Sequence, residues 1–349
     1  MRFTRSPQPN LVKRALIVRL GSLGDVVHAI PVAASLRSAY PSAQIDWVTD
    51  PMYLPLIGLV EGVDRAIGLN TRAWLPGARG NVVSALAALR RSAYDVVLDL
   101  QGLLKSAMLA RAVGARRTVG FSRTHLREPA ARLFYSESVN PGGAVHVIQQ
   151  NLSVSAALGA LDRSVRFPVR VPESAAAADV ARELGGGFAL LNPGGSAAWP
   201  NKRWPPSRFG AVAQALERSH GLPSIVWRGP GEQALAEAVA VASGGAARVS
   251  PPMSLPDLLA LAHASRVMVS GDTGPLHLAA AVGTPVVALF GPTRPERNGP
   301  WAAADVSVSR VTQCECPYQR RCRRREPCIE DIGVEEVLEA VSRRLGAHV

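Results

Sequence analysis

Apolar residues along this 349-residue chain fall into short unbroken runs that alternate with segments of helical period. ALIVRL (15–20) is a continuous β-branched run, GSLGD follows as a glycine turn, and VVHAIPVAASLRSAY (26–40) is apolar with helical spacing. This order predicts strand, turn and helix. IDWVTD, DRAIGL, YDVVLDL and RTVGF are further strand candidates, separated by helical patterns such as VVSALAALRRS and LLKSAMLARAVG. Strands alternating with helices predict parallel βαβ units and a doubly wound α/β sheet.

The alternation breaks near SVRFPVRVPES (164–174), where two prolines follow the helix candidate VIQQNLSVSAALGAL. A second series then begins, with strands in FALLN, PSIVWRG, RVMVSG and PVVALFG and helices in PSRFGAVAQALERS, EQALAEAVAVAS, LPDLLALAHAS and PLHLAAAVG. A chain of this length exceeds one ordinary core. The expected organisation is a flexible basic leader over 1–14, one Rossmann-like domain over 15–168, and a second over 169–349 that includes a Cys-rich loop and a C-terminal helix. Ligands of open α/β sheets sit beyond the carboxyl ends of the strands, so the loops after ALIVRL, FALLN, IVWRG and RVMVS are expected to line a cleft between the domains.

Composition adds constraints. Hydrophobic residues at 47% and four cysteines describe a soluble globular chain in a reducing compartment. The first residues carry charge and proline without an apolar signal core, and no run of about 18 apolar residues suggests a membrane span. The net charge of +12 invites a polyanion. Only Lys13, Lys105 and Lys202 among the 39 basic residues are lysines, however, and this arginine bias with abundant alanine is what a GC-rich coding sequence would produce. Nucleic acid is therefore not an expected partner, whereas an anionic membrane surface is.

The unusual residues cluster at the expected loops. In GDTGPLH, Asp272, Thr273 and Gly274 open a helix beside His277, with Pro275 suited to its first turn. Backbone N–H groups and the helix dipole at such a terminus bind phosphate, while a simple N-cap explains Asp272 or Thr273 equally well. NPGGSAAWPNKRWP (192–205) adds a second glycine turn, with Ser196 in it and Lys202 between Trp199 and Trp204. A lysine is a compact point charge for phosphate. In GSLGD, Asp25 stands at the start of a helix, where the dipole favours a carboxylate, and is a candidate general base or an N-cap. His28 and His277 are equally explained as packed helix residues. No D-x-D pair and no histidine cluster of metal-ligand spacing occurs. Cys314, Cys316, Cys322 and Cys328, with five neighbouring arginines, either bind a metal such as zinc or iron or pair under oxidation.

Taken together, ALIVRLGSLGDVVHAIP, IDWV, LDLQGLLKSA, NPGGSAAWPNKRWPPSRF and GDTGPLHLAAAVGTPVVALFGPT, in that order, resemble the bacterial lipopolysaccharide heptosyltransferases, glycosyltransferase family nine. GDVVHAIP followed by IDWV is most similar to the heptosyltransferase I branch. The resemblance implies a GT-B fold of two Rossmann-like domains facing across a cleft. It also implies inverting transfer of heptose from ADP-heptose to a Kdo residue of lipid A, without a cofactor or essential metal, at the cytoplasmic face of the inner membrane. By matching position Asp25 would be the base, and Lys202, Thr273 and Gly274 would cradle the donor phosphates. Asp272 would contact heptose hydroxyls, Glu232 the ribose, and Ser196 and His277 would complete the donor side. Ser22, His28, Gln101, Lys105 and Arg123 would lie on the acceptor side. Ala197 and Ala198 stand where some family members carry hydroxyl residues. Three alternatives stay open at this stage: another nucleotide-sugar or acceptor, an NAD-dependent oxidoreductase with Asp50 as the ribose ligand, or a non-catalytic binding module.

Overall fold

The computed structural model describes residues 12–70, 79–196 and 198–346. The chain divides into two compact units, Met1–Arg170 and Val171–Val349. The break falls two residues after the expected one because the segment leading to it is tied to the first unit. Pro168 O accepts from Glu61 N at 2.7 Å, Val169 bridges Val60, and Arg170 N donates to Leu59 O at 2.9 Å.

The first unit holds β1 (Arg14–Val18), β2 (Gln44–Thr49), β3 (Arg65–Gly68), β4 (Val96–Asp99), β5 (Arg117–Phe121) and β6 (Glu137–Val139). They form one sheet in the order β3-β2-β1-β4-β5-β6, every recorded pair parallel. β1 lies at the centre, between β2 and β4, and its residues Ala15 to Val18 are buried. Residues before the expected boundary at 15 pack on the first unit: Val12 is buried, and the N–H groups of Lys13 and Arg14 donate to Asp95 Oδ2 at 2.8 and 2.9 Å. Residues 1–11 of the expected leader lie outside the described residues. The helical pattern over 26–40 is realised as two helices, Leu23–Val27 and Ile30–Ala39, with Pro31 in the first turn of the second. Proline carries no N–H and suits a helix start, so the change of axis falls just before it.

The second unit holds β7 (Ala189–Asn192), β8 (Ser224–Val226), β9 (Ala247–Val249), β10 (Val267–Gly271), β11 (Val286–Phe290) and β12 (Val306–Ser309), in the order β12-β11-β10-β7-β8-β9. Counted from its own first strand, each sheet reads 3-2-1-4-5-6, the order of a Rossmann domain. The second core gathers Trp204, Phe209, Val212, Leu216, Val267, Leu289 and Val337. The Trp204 ring meets Phe209 edge-on at 5.1 Å and its Nε1 donates to Ile332 O at 3.0 Å, so its one polar atom is satisfied in the core. The expected C-terminal helix, Val334–Gly346, is fastened by a buried Arg344–Asp305 pair at 2.7 Å, and Asp305 Oδ1 also receives Val286 N at the start of β11.

In this strand order the topological switch lies between the first and fourth strands. Crevices for ligands therefore open beyond the carboxyl ends of β1 and β4 in one unit and of β7 and β10 in the other.

Candidate functional site

At the switch point of the second unit, β10 ends in Gly271 and the chain turns into the helix Gly274–Ala281, with Thr273 at the N-cap position. The Thr273 side chain makes no cap hydrogen bond. Its Oγ1 instead accepts from Asn192 Nδ2 at 2.8 Å, and the same amide donates to Ser270 Oγ at 2.8 Å. Asn192 ends β7, so it couples the two switch-point strands and leaves the helix N-terminus without a side-chain cap from Thr273. That is the arrangement an anion-binding terminus requires.

Asp272 does not cap the helix either. Its carboxylate is buried and receives Lys202 Nζ at 2.6 Å and Thr293 Oγ1 at 2.6 Å on Oδ2, with His277 Nε2 at 3.2 Å from Oδ1. Burial alone would raise its pKa, but the His277 hydrogen bond and the Lys202 ammonium outweigh that and hold the carboxyl well below the usual carboxylate range. The Lys202 ammonium also lies 5.1 Å from the centre of the Trp199 ring. A β-carbon on Gly271 would stand 2.8 Å from Lys202 O, so glycine is what lets the lysine loop approach the strand end. Lys202, Asp272, Thr273, Gly274 and His277 are thereby one cluster.

Glu232 stands in the loop after β8, at the N-cap position of the helix Gln233–Ala242. Its carboxylate accepts from Gly195 N at 2.8 Å and from Gly229 N at 3.1 Å, and Arg203 stands 3.7 Å away. It thus fastens the glycine turn after β7 to the loop after β8. Ser196 is exposed and its Oγ accepts from Ala198 N at 3.3 Å, while Ala197 lies outside the described residues.

At the switch point of the first unit, Asp25 occupies the third position of the helix Leu23–Val27 and Ser22 is its N-cap. Ser22 N and Oγ donate to Asp25 Oδ2 at 3.2 and 3.0 Å, and Arg19 Nη2 pairs with Oδ1 at 2.7 Å. Gln101, beyond the end of β4, accepts from Leu20 N at 3.0 Å and Gly21 N at 3.3 Å through Oε1. The loop carrying Gln101 is set in turn by Asp99, fully buried, which accepts from Gln101 N, Gly102 N, Ser106 Oγ and Tyr135 OH at 2.7 to 3.2 Å. Burial pushes the Asp99 carboxyl upward, with these donors opposing it.

Ser22, Asp25 and Gln101 are thus brought together. His28 is a buried packing residue, its ring edge-on to His146 at 5.8 Å and its carbonyl accepting from Asn151 Nδ2. Lys105 lies exposed in the first turn of the helix Leu104–Ala112, and Arg123 is exposed in the short 3₁₀ turn Arg123–His125. Asp50 accepts from Met52 N and caps the turn Pro51–Tyr53, a local role that removes the one residue favouring a nicotinamide dinucleotide.

Arg19, Asn192 and Thr293 were not singled out by the sequence. Arg19 carried one signal, a charge inside the otherwise apolar ALIVRL; Asn192 is an ordinary polar residue at a strand end and Thr293 one in the loop after β11.

The four cysteines are free thiols, with Sγ separations of 3.8 Å for Cys314–Cys316 and 3.4 Å for Cys316–Cys322. Burial and the neighbouring Cys314 push the Cys328 thiol up to about 12. Among the described residues no group of three or more His, Cys, Asp or Glu side chains is arranged to hold a metal ion. The loop braces the Lys202–Asp272 cluster: Gln319 O accepts from Asn201 Nδ2 at 2.9 Å, and Tyr318 N donates to Pro292 O at 2.9 Å, beside Lys202 and Thr293 respectively.

Comparison with known proteins places this geometry in a family. The model of glycosyltransferase family 9 (heptosyltransferase) matches residues 82–328. The chain is 30% identical to lipopolysaccharide heptosyltransferase 1 of Pseudomonas aeruginosa over 325 residues, covering 88% of this chain and 87% of the relative. It is 28% identical to lipopolysaccharide heptosyltransferase 1 of Escherichia coli K12, covering 81% and 89%. Among solved structures, Escherichia coli heptosyltransferase WaaC with ADP superposes with a TM-score of 0.75 at 24% identity over 95% of this chain and 99% of that one. A family 9 glycosyltransferase from Veillonella parvula gives 0.79 at 23% identity over 96% and 98%. The two α/β units are those of the GT-B fold, and the chain belongs to glycosyltransferase family 9, the heptosyltransferases.

Proposed function

We propose that this enzyme transfers heptose from ADP-heptose to a Kdo residue of a lipid A inner core, with inversion at the anomeric carbon. The observation that carries the donor side is the Lys202–Asp272 pair at 2.6 Å beside the helix terminus at Gly274. It sets an ammonium and backbone N–H groups around one point, as a diphosphate leaving group needs. The relatives' names, lipopolysaccharide heptosyltransferase 1, and a WaaC structure solved with ADP-2-deoxy-2-fluoro heptose support the choice of sugar and nucleotide.

In this reading the first unit supplies the acceptor chemistry and the second holds the donor. Asp25 takes the proton from the acceptor hydroxyl as its oxygen bonds to the anomeric carbon. The anomeric carbon–oxygen bond to ADP breaks, and the electron pair leaves with the diphosphate, held by Lys202 and the N–H groups at Thr273 and Gly274. Asp272 fixes Lys202 and offers a carboxylate oxygen to heptose hydroxyls; His277 holds Asp272. Glu232 and Ser196 shape the glycine turns around the nucleotide. Gln101 and Ser22 set the Asp25 turn, exposed Lys105 and Arg123 meet the anionic acceptor, and His28 supports the same side from the end of the Asp25 helix. No helix among the described residues is long and apolar enough to cross a membrane. The reading places the enzyme on the cytoplasmic face of the inner membrane through peripheral contact with anionic lipid.

Mass spectrometry of the product from ADP-heptose and Kdo-bearing lipid A tests the reaction, and one added heptose is expected. Asp25→Asn should keep ADP affinity and lose about 10²–10⁴-fold in turnover, the usual contribution of a general base. Unchanged turnover would reduce Asp25 to a helix-cap residue.

A further inference from the structure

We infer that Arg19 is the positioning residue for Asp25, holding its carboxylate in one orientation for proton transfer; the inference rests on the reading of Asp25 as the base. Arg19 lies just past β1 and is 6% exposed. Its guanidinium spans two acceptors on different elements: Nη1 donates to Leu100 O at the end of β4, and Nη2 reaches Asp25 Oδ1 at 2.7 Å. Its backbone is held as well, N donating to Val48 O at 3.1 Å and O accepting from Trp47 Nε1 at 3.2 Å. The residue is therefore tied to both neighbours of the central strand, its backbone to β2 and its guanidinium to Leu100 O beyond β4, before it meets the carboxylate.

Asp25 is far less enclosed, with 36% of its side chain exposed. A carboxylate on a five-residue helix with one open side turns easily unless both oxygens are engaged. Ser22 engages Oδ2 and Arg19 engages Oδ1, so the two residues together fix the plane of the group. The fork geometry explains why arginine and not lysine stands here: one ammonium cannot hold both acceptors at fixed separation. Other ionisable groups near the turn include His28 at the C-cap of the same helix, Tyr53 packed against Gly21, and Asp99 behind Gln101. Arg19 is the cation paired with the carboxylate, so its removal should act on Asp25 in one direction.

The test is the pH profile of kcat/KM for Arg19→Gln and Arg19→Lys, with Asp25→Asn measured alongside and ADP affinity as the control for folding. An adjacent cation lowers a carboxyl pKa by about 1–3. Arg19→Gln should therefore move the acid limb up by about one pH unit or more and lower kcat by about ten- to a hundredfold, with ADP affinity unchanged. Arg19→Lys keeps the charge, so its acid limb should stay near that of the wild type while kcat still falls. This variant decides the matter if the glutamine form does not fold. An acid limb that stays in place in Arg19→Gln, with Asp25→Asn inactive, would overturn the inference alone. Full turnover in Asp25→Asn would overturn the base reading and the inference with it.

Discussion

Asp272→Asn tests whether the Lys202–Asp272 cluster is held by charge or only by shape. The side chain is 4% exposed, and its carboxylate receives Lys202, Thr293 and His277. Asparagine keeps the volume but offers one acceptor and one NH₂, so an N–H must face either Lys202 Nζ and Thr293 Oγ1, which share Oδ2, or His277 Nε2 opposite. Removing one partner of a buried ion pair costs about 3–5 kcal/mol. Lys202 is 19% exposed and can swing outward over Trp199, which places the loss near the lower end, about 3 kcal/mol. For a unit of this size that corresponds to about 6–12 °C in melting temperature.

The pH dependence has a definite sign. The folded-state pKa of Asp272 is depressed, so its stabilisation is fully present above the unfolded value of about 3.9 and is lost as pH falls through the folded value. The contribution of the Asp272 charge to the gap between wild type and variant should therefore persist down to about pH 5 and vanish only in stronger acid. Calorimetry across that range is the assay. A shift below about 2 °C at neutral pH, or a gap already closed at pH 5, would refute the argument that an ionised, buried Asp272 organises the site.

Two further outcomes follow from the same geometry. Lys202→Ala should weaken ADP-heptose binding by calorimetric titration far more than Lys105→Ala, because Lys105 lies on the first unit; equal losses would refute the assignment of donor and acceptor to separate units. Gly194→Ala would put a β-carbon 2.1 Å from a Glu232 carboxylate oxygen, expelling that side chain from the N–H groups of Gly195 and Gly229, with a loss of about 1–3 kcal/mol in denaturant titration. Glu232→Ala removes the same bonds, so the double variant should lose no more than either single one, and additive losses would contradict the shared contact.

How far each feature could be read from the sequence depended on where its energy comes from. The central strands were legible because burial on both faces leaves a continuous apolar run, as in Ala15–Val18 and Val286–Phe290. The strands that went unread, β6, β9 and β12, are all edges of three or four residues. An edge strand is half exposed and short, and pairing with a neighbour already in place defines it more than its own pattern does.

The Lys202–Asp272 cluster was legible for a related reason. Glycine turns and a helix start leave local marks, so Lys202, Asp272 and Thr273 could be picked out before their contacts were known. What those residues touch was not local. Asp272 meets Lys202 across 70 positions and Thr293 across 21, and Asn192 reaches Thr273 across 81. Such pairings are fixed by strand order: because β7 and β10 lie side by side, the loops after them must share one crevice. The same rule brings Gln101, beyond β4, onto the turn after β1, and sets Arg19 between Leu100 and Asp25. A basic residue closing an apolar strand next to a glycine turn should therefore be read for the carboxylate that the neighbouring switch-point loop or helix presents to it, before it is counted as surface charge.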